Sequence, residues 1–232
     1  MVSNGVVAII PARGGSSRIP RKNTKAFNGR PMIAWPLEAC IAVEAIARIV
    51  VSTEDKELAQ IAQEIGTPEV IDRPQELASA TAGTAPVIKH ALDALGVDDD
   101  AVVMCLYPTA TLTPGVIEEA LKLSTGHPDK FVITIGRHRS PHERSLEQME
   151  EGLMTLASDE HLLTRTQDLP QRYFDAGKLY IARSTVWKAQ ETMMERPFVP
   201  FFLPDWASVD IDEPEDWAVA EALHRVFVLE AS

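Results

Sequence analysis

The sequence has only two cysteines in 232 residues, and they form no pattern of paired or metal-binding cysteines. Cys40 lies in a helix-like pattern and Cys105 in an apolar run, where a buried free thiol is the usual role. This excludes a disulfide framework and a cysteine zinc site, and it favours a reducing compartment, the cytoplasm. No apolar run approaches the roughly 20 residues of a membrane-spanning helix, so we expect no membrane contact and no signal peptide.

Acidic residues are absent from the first 37 positions, although the whole chain has a formal net charge of −12. The basic residues that precede the first acid are Arg13, Arg18, Arg21, Lys22, Lys25 and Arg30. A nucleic acid or an anionic membrane would need a broad basic face, which this composition excludes. One basic segment in an acidic protein instead favours a small, highly charged ligand.

The basic loop, residues 11–25, follows an apolar run over residues 6–10 that predicts a buried strand. Gly14 and Gly15 allow a sharp turn that brings backbone N–H groups close to a bound group. A strand that opens into such a loop is suited to bind polyphosphate. The loop lacks the Gly-Lys-Ser/Thr of a Walker A motif. The alternative is a solvated basic loop that serves solubility, which does not require paired glycines after a strand.

Strand and helix patterns alternate through the first 135 residues and predict an α/β fold. The sheet is expected to be Rossmann-like and mostly parallel, with helices on both faces. The predicted strands cover residues 6–10, 48–52, about 70, 101–107, 131–135 and 178–182. The predicted helices cover residues 31–46, with a kink or late start at Pro36, then 55–65, 84–95, 114–124 and 214–227. Ligands of such sheets bind beyond the carboxyl ends of the strands.

The alternation breaks over residues 136–174, which are polar, charged and rich in turn residues. We interpret this stretch, called the arm below, as an excursion from a single domain that spans residues 1–232. A hairpin or a protruding arm is expected there.

Two carboxylates, Asp210 and Asp212, are two positions apart in what reads as an extended segment at a strand end. Side chains at this spacing point to the same side, and two hard oxygen donors together suit Mg²⁺ or Mn²⁺. The alternative is a helix cap, because Asp212 and Glu213 directly precede Pro214 and acids favour helix N-termini.

A set of motifs, in the same order over nearly the whole chain, resembles the cytidylyltransferases that activate acidic nonulosonic sugars. The motifs are Ile9-Ile10-Pro11-Ala12-Arg13-Gly14-Gly15-Ser16 to Lys22-Asn23, Arg73-Pro74 to Leu77, Thr81-Ala82-Gly83-Thr84, Tyr107-Pro108-Thr109, Asp175-Ala176-Gly177 to Tyr180, and Asp210-Ile211-Asp212. Within the family, residues 167–177 and 210–217 are most similar to members that act on pseudaminic acid.

The resemblance implies a role for each matched residue. The nucleotide-binding residues would be Ala12, Arg13, Gly14, Gly15, Ser16, Lys22 and Asn23 for the CTP phosphates, Arg73 and Ala82 for cytosine, and Thr84 for ribose. The sugar-binding residues would be Tyr107, Arg144, Arg165, Gln167 and Tyr180. Arg13, Lys22, Asp210 and Asp212 would be catalytic, and the last two would bind the metal.

The implied reaction is transfer of CMP from CTP to the anomeric hydroxyl of a nonulosonic acid, with release of pyrophosphate. Pseudaminic acid is the expected substrate; legionaminic and N-acetylneuraminic acids are the alternatives. The family also implies a homodimer whose arm completes the partner's sugar site. A non-catalytic nucleotide-binding regulatory protein and a nucleotidyltransferase for an ordinary sugar phosphate remain as other readings. The chain departs from the family at Ser17 and Ala80, where Lys and Asp are usual, so we expect weaker CTP binding than in typical members.

Overall fold

Strands and helices alternate along most of the chain in a computed structural model, which describes residues 5–16, 18–66, 69–79, 81–195 and 197–230. Ser17 and Ala80 lie outside the described residues. The strands are β1 Val6–Pro11, β2 Ala26–Phe27, β3 Arg30–Pro31, β4 Ile46–Thr53, β5 Glu69–Asp72, β6 Val102–Leu106, β7 Val132–Arg137, β8 Leu146–Gln148, β9 Met154–Leu156, β10 Tyr173–Arg183 and β11 Val199–Phe202. The helices are α1 Ala34–Ile41, α2 Lys56–Glu64, α3 Thr84–Leu95, α4 Pro114–Thr125, α5 Ser184–Ala189 and α6 Pro214–His224.

The main sheet has seven strands in the order β11-β7-β10-β6-β1-β4-β5. Strand β10 is antiparallel to both of its neighbours, and the other paired strands run parallel. The central strands are continuous apolar runs because helices cover both faces of the sheet. The predicted α/β fold with a mostly parallel sheet is therefore confirmed.

Two apolar clusters hold the helices to the two faces of the sheet. Leu37 of α1, Leu58 of α2 and Ile117 of α4 are buried in one cluster. Ile88 of α3 and Trp187 of α5 are buried in the other. Among the described residues, no helix is both long and apolar enough to cross a membrane.

Helix boundaries agree with the sequence where a local capping signal exists. Helix α3 covers the predicted residues 84–95, and Gly96 ends it in the left-handed conformation at φ 60°. Helix α4 begins at Pro114, and the Thr113 hydroxyl accepts a hydrogen bond from the Val116 amide. Asp55 caps α2 in the same way.

The helix predicted over residues 31–46 has the late start that Pro36 predicts, but its predicted C-terminal end is wrong. Helix α1 begins at Ala34, which puts Pro36 in the first turn, where its missing N–H has no intrahelical partner to lose. It ends at Ile41, and Ile46 already belongs to β4. The small hairpin β2–β3 before it was not predicted, although Asn28 and Gly29, at φ 45° and 82°, form a typical hairpin turn.

A third apolar cluster lies beside the sheet and joins segments that are far apart in the sequence. Its buried residues are Ile19, Phe27, Met32, Ala110, Ile211, Trp217 and Ala220. Each large side chain buried there contributes about 1.5–3 kcal/mol. The cluster packs the basic loop against residues 209–212 and against α6. Helix α6 ends at His224 rather than at residue 227, and a π-helical turn, Arg225–Leu229, follows it.

Candidate active site

A cavity of about 330 Å³ opens at the carboxyl ends of the central parallel strands. Strands β1 and β6 lie side by side there, and the chain proceeds from β1 to β4 on one side and reaches β6 on the other. This is the switch point at which open α/β sheets bind their ligands. The charged residues that line the cavity are Arg13, Arg18, Lys22, Arg73, Lys178, Asp210 and Asp212. The cavity is therefore basic, although the chain is acidic.

The basic loop forms one wall, and internal contacts fix its course. The Asn23 side-chain amide donates to the Arg13 carbonyl at 2.9 Å, which closes the loop on itself. Arg13 reaches across the cavity and donates to the Ser79 carbonyl at 3.3 Å. Ile19 is buried in the third cluster and anchors the middle of the loop. Gly15 and Ser16 line the cavity with these side chains.

Ala12 and Gly14, two of the predicted nucleotide-binding residues, do not line the cavity. Ala12 is fully buried. The Gly14 amide donates to Glu54 Oε1 at 2.8 Å, and a Cβ at Gly14 would lie 2.1 Å from Asp55 Oδ2. Gly14 thus allows close packing against the start of α2. A Cβ added at Gly15, in contrast, would have no atom of the described residues within 4 Å.

Residues 209–212, called the carboxylate segment, form the opposite wall. The segment lies in the loop before α6 and not at the end of a strand, which corrects the prediction. Ile211 is only 4% exposed and packs in the third cluster, while Asp210 and Asp212 line the cavity on either side of it. Asp216 Oδ2 accepts hydrogen bonds from the Asp212 and Glu213 amides at 3.0 and 2.7 Å. An apolar anchor and a helix cap therefore fix the segment.

Basic side chains already contact the carboxylate segment. Arg18 forms an ion pair with Asp212 at 2.7 Å between Nη2 and Oδ1. The Lys22 ammonium donates to the Ile211 carbonyl at 2.5 Å. Burial lowers the pKa of Lys22, an effect that the negative charges of Asp210 and Asp212 oppose. The two walls are thus electrostatically complementary.

The two carboxylates fit a metal ion that is bound together with phosphate. Within the described ranges, no group of three or more His, Cys, Asp or Glu side chains could hold a metal by itself. Mg²⁺ usually takes one or two carboxylates from the protein and its other ligands from phosphates and water. Asp210 and Asp212, which face a wall of phosphate-binding type, have this composition.

Arg73 lies at the end of β5 and lines the cavity, although its side chain is buried. Its guanidinium donates to the Ser52 carbonyl and hydroxyl, so its position is fixed by β4. Burial lowers the pKa of Arg73. Ala82 and Thr84, at the start of α3, line the same side, and the Thr84 and Tyr107 hydroxyls share a hydrogen bond.

The predicted sugar-binding residues are divided between two regions. Tyr107 lines the cavity. Tyr180 does not; it is buried behind Tyr107 with ring centroids 6.3 Å apart, and its hydroxyl donates to Asp175 at 2.7 Å. Burial raises the pKa of both tyrosines.

Arg144, Arg165 and Gln167 belong to the arm and do not line the cavity of their own chain. Arg144 donates to the Leu162 and Thr164 carbonyls within the arm. Arg165 pairs with Asp168 at 2.7 Å. Any contact of these three side chains with a bound sugar therefore requires either a movement of the arm or a second chain.

Lys178 is a cavity residue that the sequence analysis did not identify. The Asp175-Ala176-Gly177 motif precedes it, but Lys178 itself reads as an ordinary strand residue. Because β10 is antiparallel to its neighbours, its first half lies at the carboxyl edge of the parallel strands. Burial lowers the pKa of Lys178 to about 8. The sequence analysis missed Lys178 because the antiparallel direction of β10 depends on its pairing with distant strands and is not visible in the local sequence.

Comparison with known proteins gives matches over most of the chain. A family model described as cytidylyltransferase matches residues 7–208, so its match ends two positions before Asp210. Pseudaminic acid cytidylyltransferase of Campylobacter jejuni is 30% identical, over 95% of this chain and 96% of that protein. CMP-N,N'-diacetyllegionaminic acid synthase of Legionella pneumophila is also 30% identical, over 94% of this chain and 95% of that protein.

A solved structure of CMP:2-keto-3-deoxy-manno-octonic acid synthetase complexed with CTP shares the fold. Its TM-score is 0.68 at 19% identity, and the alignment covers 97% of this chain and 99% of that one.

We predict that Gly14→Ala lowers the free energy of unfolding by about 1–3 kcal/mol, because the new methyl group would displace Asp55 from the cap of α2. Asp55 cannot move freely, since its carboxylate accepts from the Glu57 and Leu58 amides and pairs with Arg21. Urea denaturation measures the change.

Gly15→Ala is the matched control, since the same methyl group meets open space there. Its free energy of unfolding should stay within about 0.5 kcal/mol of the parent value. Equal stability of the two variants would contradict the packing role of Gly14.

Proposed function

Since this chain belongs to the cytidylyltransferase family, we propose that it transfers CMP from CTP to the anomeric hydroxyl of a nonulosonic sugar acid, specifically pseudaminic acid. The observation that carries the proposal is the cavity at the switch point, where a basic loop faces two carboxylates. The names of the relatives from Campylobacter jejuni and Legionella pneumophila support a nonulosonic acid as the acceptor.

In the proposed reaction, the anomeric oxygen attacks the α-phosphorus of CTP and the bond to pyrophosphate breaks. Negative charge then builds on the phosphate oxygens, and preorganised cations stabilise that charge. Arg13 and Lys22, with Ser16, Asn23 and the Gly15 amide, are our candidates for the phosphate-binding residues. Lys22 is suited to the departing pyrophosphate because its ammonium is half-buried and otherwise bonded only to a carbonyl among the described residues.

The opposite side of the cavity is proposed to bind the nucleoside. Arg73 would donate to the cytosine edge and the Ala82 backbone would complete its recognition, with Thr84 beside the ribose. A buried guanidinium held by Ser52 suits base recognition, because its direction is fixed before the ligand binds.

We assign Mg²⁺ or Mn²⁺ to Asp210 and Asp212. Such an ion would neutralise phosphate charge and orient the triphosphate. Arg18 pairs with one oxygen of Asp212. Since a guanidinium also binds phosphate well, Arg18 can release the Asp212 carboxylate and bind a phosphate of the nucleotide instead.

The preference for pseudaminic acid is argued from Tyr107. Pseudaminic and legionaminic acids end in a deoxy carbon and carry a second acylamino group, so they are more apolar there than N-acetylneuraminate. The aromatic ring of Tyr107 at the cavity wall suits such a ligand, and Tyr180 supports the ring from behind. Legionaminic acid is the second candidate.

A homodimer is proposed because the arm exposes many apolar side chains. The exposed large apolar residues of the arm are Leu146, Met149, Leu153, Met154, Leu162, Leu163 and Tyr173. An exposed apolar surface of this kind is typical of an interface. In such a dimer, the arm would bring Arg144, Arg165 and Gln167 to the partner's sugar site.

The cytoplasm is the proposed compartment. Cys40 and Cys105 are both free and buried. Burial raises the pKa of Cys40 to about 12, which keeps the thiol protonated and unreactive.

We predict that pyrophosphate release requires CTP and a nonulosonic acid, with CTP preferred over ATP, GTP and UTP. At saturating CTP, kcat/KM for pseudaminic acid should exceed that for N-acetylneuraminate by about tenfold or more, because an unmatched polar contact is costly. A coupled pyrophosphate assay measures both. Absence of release with all acids would contradict the reaction, and equal use of N-acetylneuraminate would contradict the sugar assignment.

Asp212→Asn should lower turnover by about 100-fold or more, corresponding to about 2.7 kcal/mol, because the amide keeps the shape but loses an anionic ligand. Asp99→Asn is the control, since Asp99 pairs with Lys188 and lies before β6, at the opposite edge of the sheet. Near-normal turnover of folded Asp212→Asn protein at all Mg²⁺ concentrations would disprove the metal assignment.

Light scattering at micromolar concentration should give about twice the chain mass of 25.5 kDa. Leu153→Glu and Leu163→Glu together should shift the protein toward monomer, because both side chains are exposed on the arm. A 25.5 kDa particle for the parent protein would contradict the dimer.

A further inference from the structure

Lys178 presents a buried ammonium group to the cavity from the sheet side. The strand register shifts between Asp175 and Tyr180, and Gly177 adopts φ 64° just before Lys178. The Lys178 residue is only 5% exposed, yet it lines the cavity. The irregularity in β10 therefore delivers this side chain to the ligand edge.

The Lys178 ammonium has only neutral hydrogen-bond partners in the part of the chain that the structure describes. Nζ donates to the Val209 carbonyl at 2.8 Å and to the Thr109 hydroxyl at 3.4 Å. No ion pair within 4 Å joins it to a carboxylate among those residues. An ammonium has three donors, so one donor is left for a ligand.

A buried positive charge without a paired anion is costly, and its hydrogen bonds to neutral oxygens do not require a charge. Burial, together with the nearby Lys22, lowers the pKa of Lys178 to about 8, although Asp210 opposes the shift. The charge is therefore costly with these neutral partners alone, and an anion that enters the cavity explains it.

We propose that Lys178 is a substrate-binding residue whose ammonium contacts an oxyanion of a bound substrate, across the carboxylate segment from Lys22. The oxyanion is a CTP phosphate or the carboxylate of the sugar acid, and these two sources share the same chemistry. Lys22 and Lys178 hold the Ile211 and Val209 carbonyls of one segment, so their charges converge beside Asp210. The choice of ligands rests on the proposed function.

The test compares the full-length parent protein with Lys178→Gln, which keeps a neutral donor, and Lys178→Met, which keeps the volume. Lys188→Gln is the matched control, because Lys188 pairs with Asp99 away from the cavity. Calorimetric titrations with CTP plus Mg²⁺, with cytidine and with pseudaminic acid measure binding without turnover. Thermal unfolding of each variant verifies the fold.

We expect Lys178→Gln and Lys178→Met to weaken binding of one anionic probe by about tenfold or more, equivalent to about 1.4 kcal/mol. Loss with CTP but not cytidine assigns the phosphate, whereas loss with pseudaminic acid assigns the carboxylate. Lys178→Gln should unfold at or above the parent temperature, since it removes a buried charge. Binding of both anions within twofold of the parent by a folded variant would overturn the proposal.

The outcomes separate this proposal from the proposed reaction. If the parent protein binds CTP but transfers no CMP to any acid, the reaction is disproved while the titrations still test Lys178. If Lys178→Gln keeps the binding that Lys178→Met loses, a neutral donor is sufficient. The ammonium then serves only to hold the Val209 carbonyl, and the substrate-binding role is wrong.

Discussion

The site depends on the apolar cluster that packs the basic loop against the carboxylate segment. Ile19 and Ile211 are buried together with Trp217. Ile19 directly follows Arg18, and Ile211 lies between Asp210 and Asp212; these three charged residues line the cavity. Burial of the two isoleucines therefore fixes where the charges of both loops point. Both segments lie in loops that follow strands, so no helix or strand fixes their position. The cluster supplies that support.

The distribution of charge around the cavity follows from this packing. The cavity has more cations than carboxylates. The Lys22 and Lys178 ammonium groups donate to main-chain carbonyls, and Arg18 forms an exposed ion pair with Asp212. Carbonyl oxygens stabilise an ammonium less than an anion does, because charge-assisted bonds between ions are the stronger class. A triphosphate would replace weak partners by strong ones without rearranging the sheet. Preorganisation of this kind reduces the free-energy cost of binding.

Local signals in the sequence predicted the elements that depend on local chemistry. Strand β1 and helices α3 and α4 follow from apolar periodicity and, for α4, from the Thr113-Pro114 start signal, so these segments need no distant partner to be recognised. The basic loop was predicted for the same reason. What required tertiary information was the direction of β10, which decides that Lys178 belongs to the cavity. The register of β10 also shifts between Asp175 and Tyr180. Simple alternation along the strand therefore does not predict the face of the sheet on which Tyr180 lies.

The arm and the cavity differ in how completely one chain builds them. The cavity is lined by the loops that follow β1, β5 and β6, each attached directly to the sheet. Within the arm, Arg144 donates to the Leu162 and Thr164 carbonyls, whereas Arg137 and Arg139 at its base pair with Asp205 outside the arm. The wall that these loops form therefore belongs to a single chain and does not include the arm. If a second chain covers the exposed apolar face of the arm, as we propose, then assembly and acceptor specificity are linked through Arg144, Arg165 and Gln167.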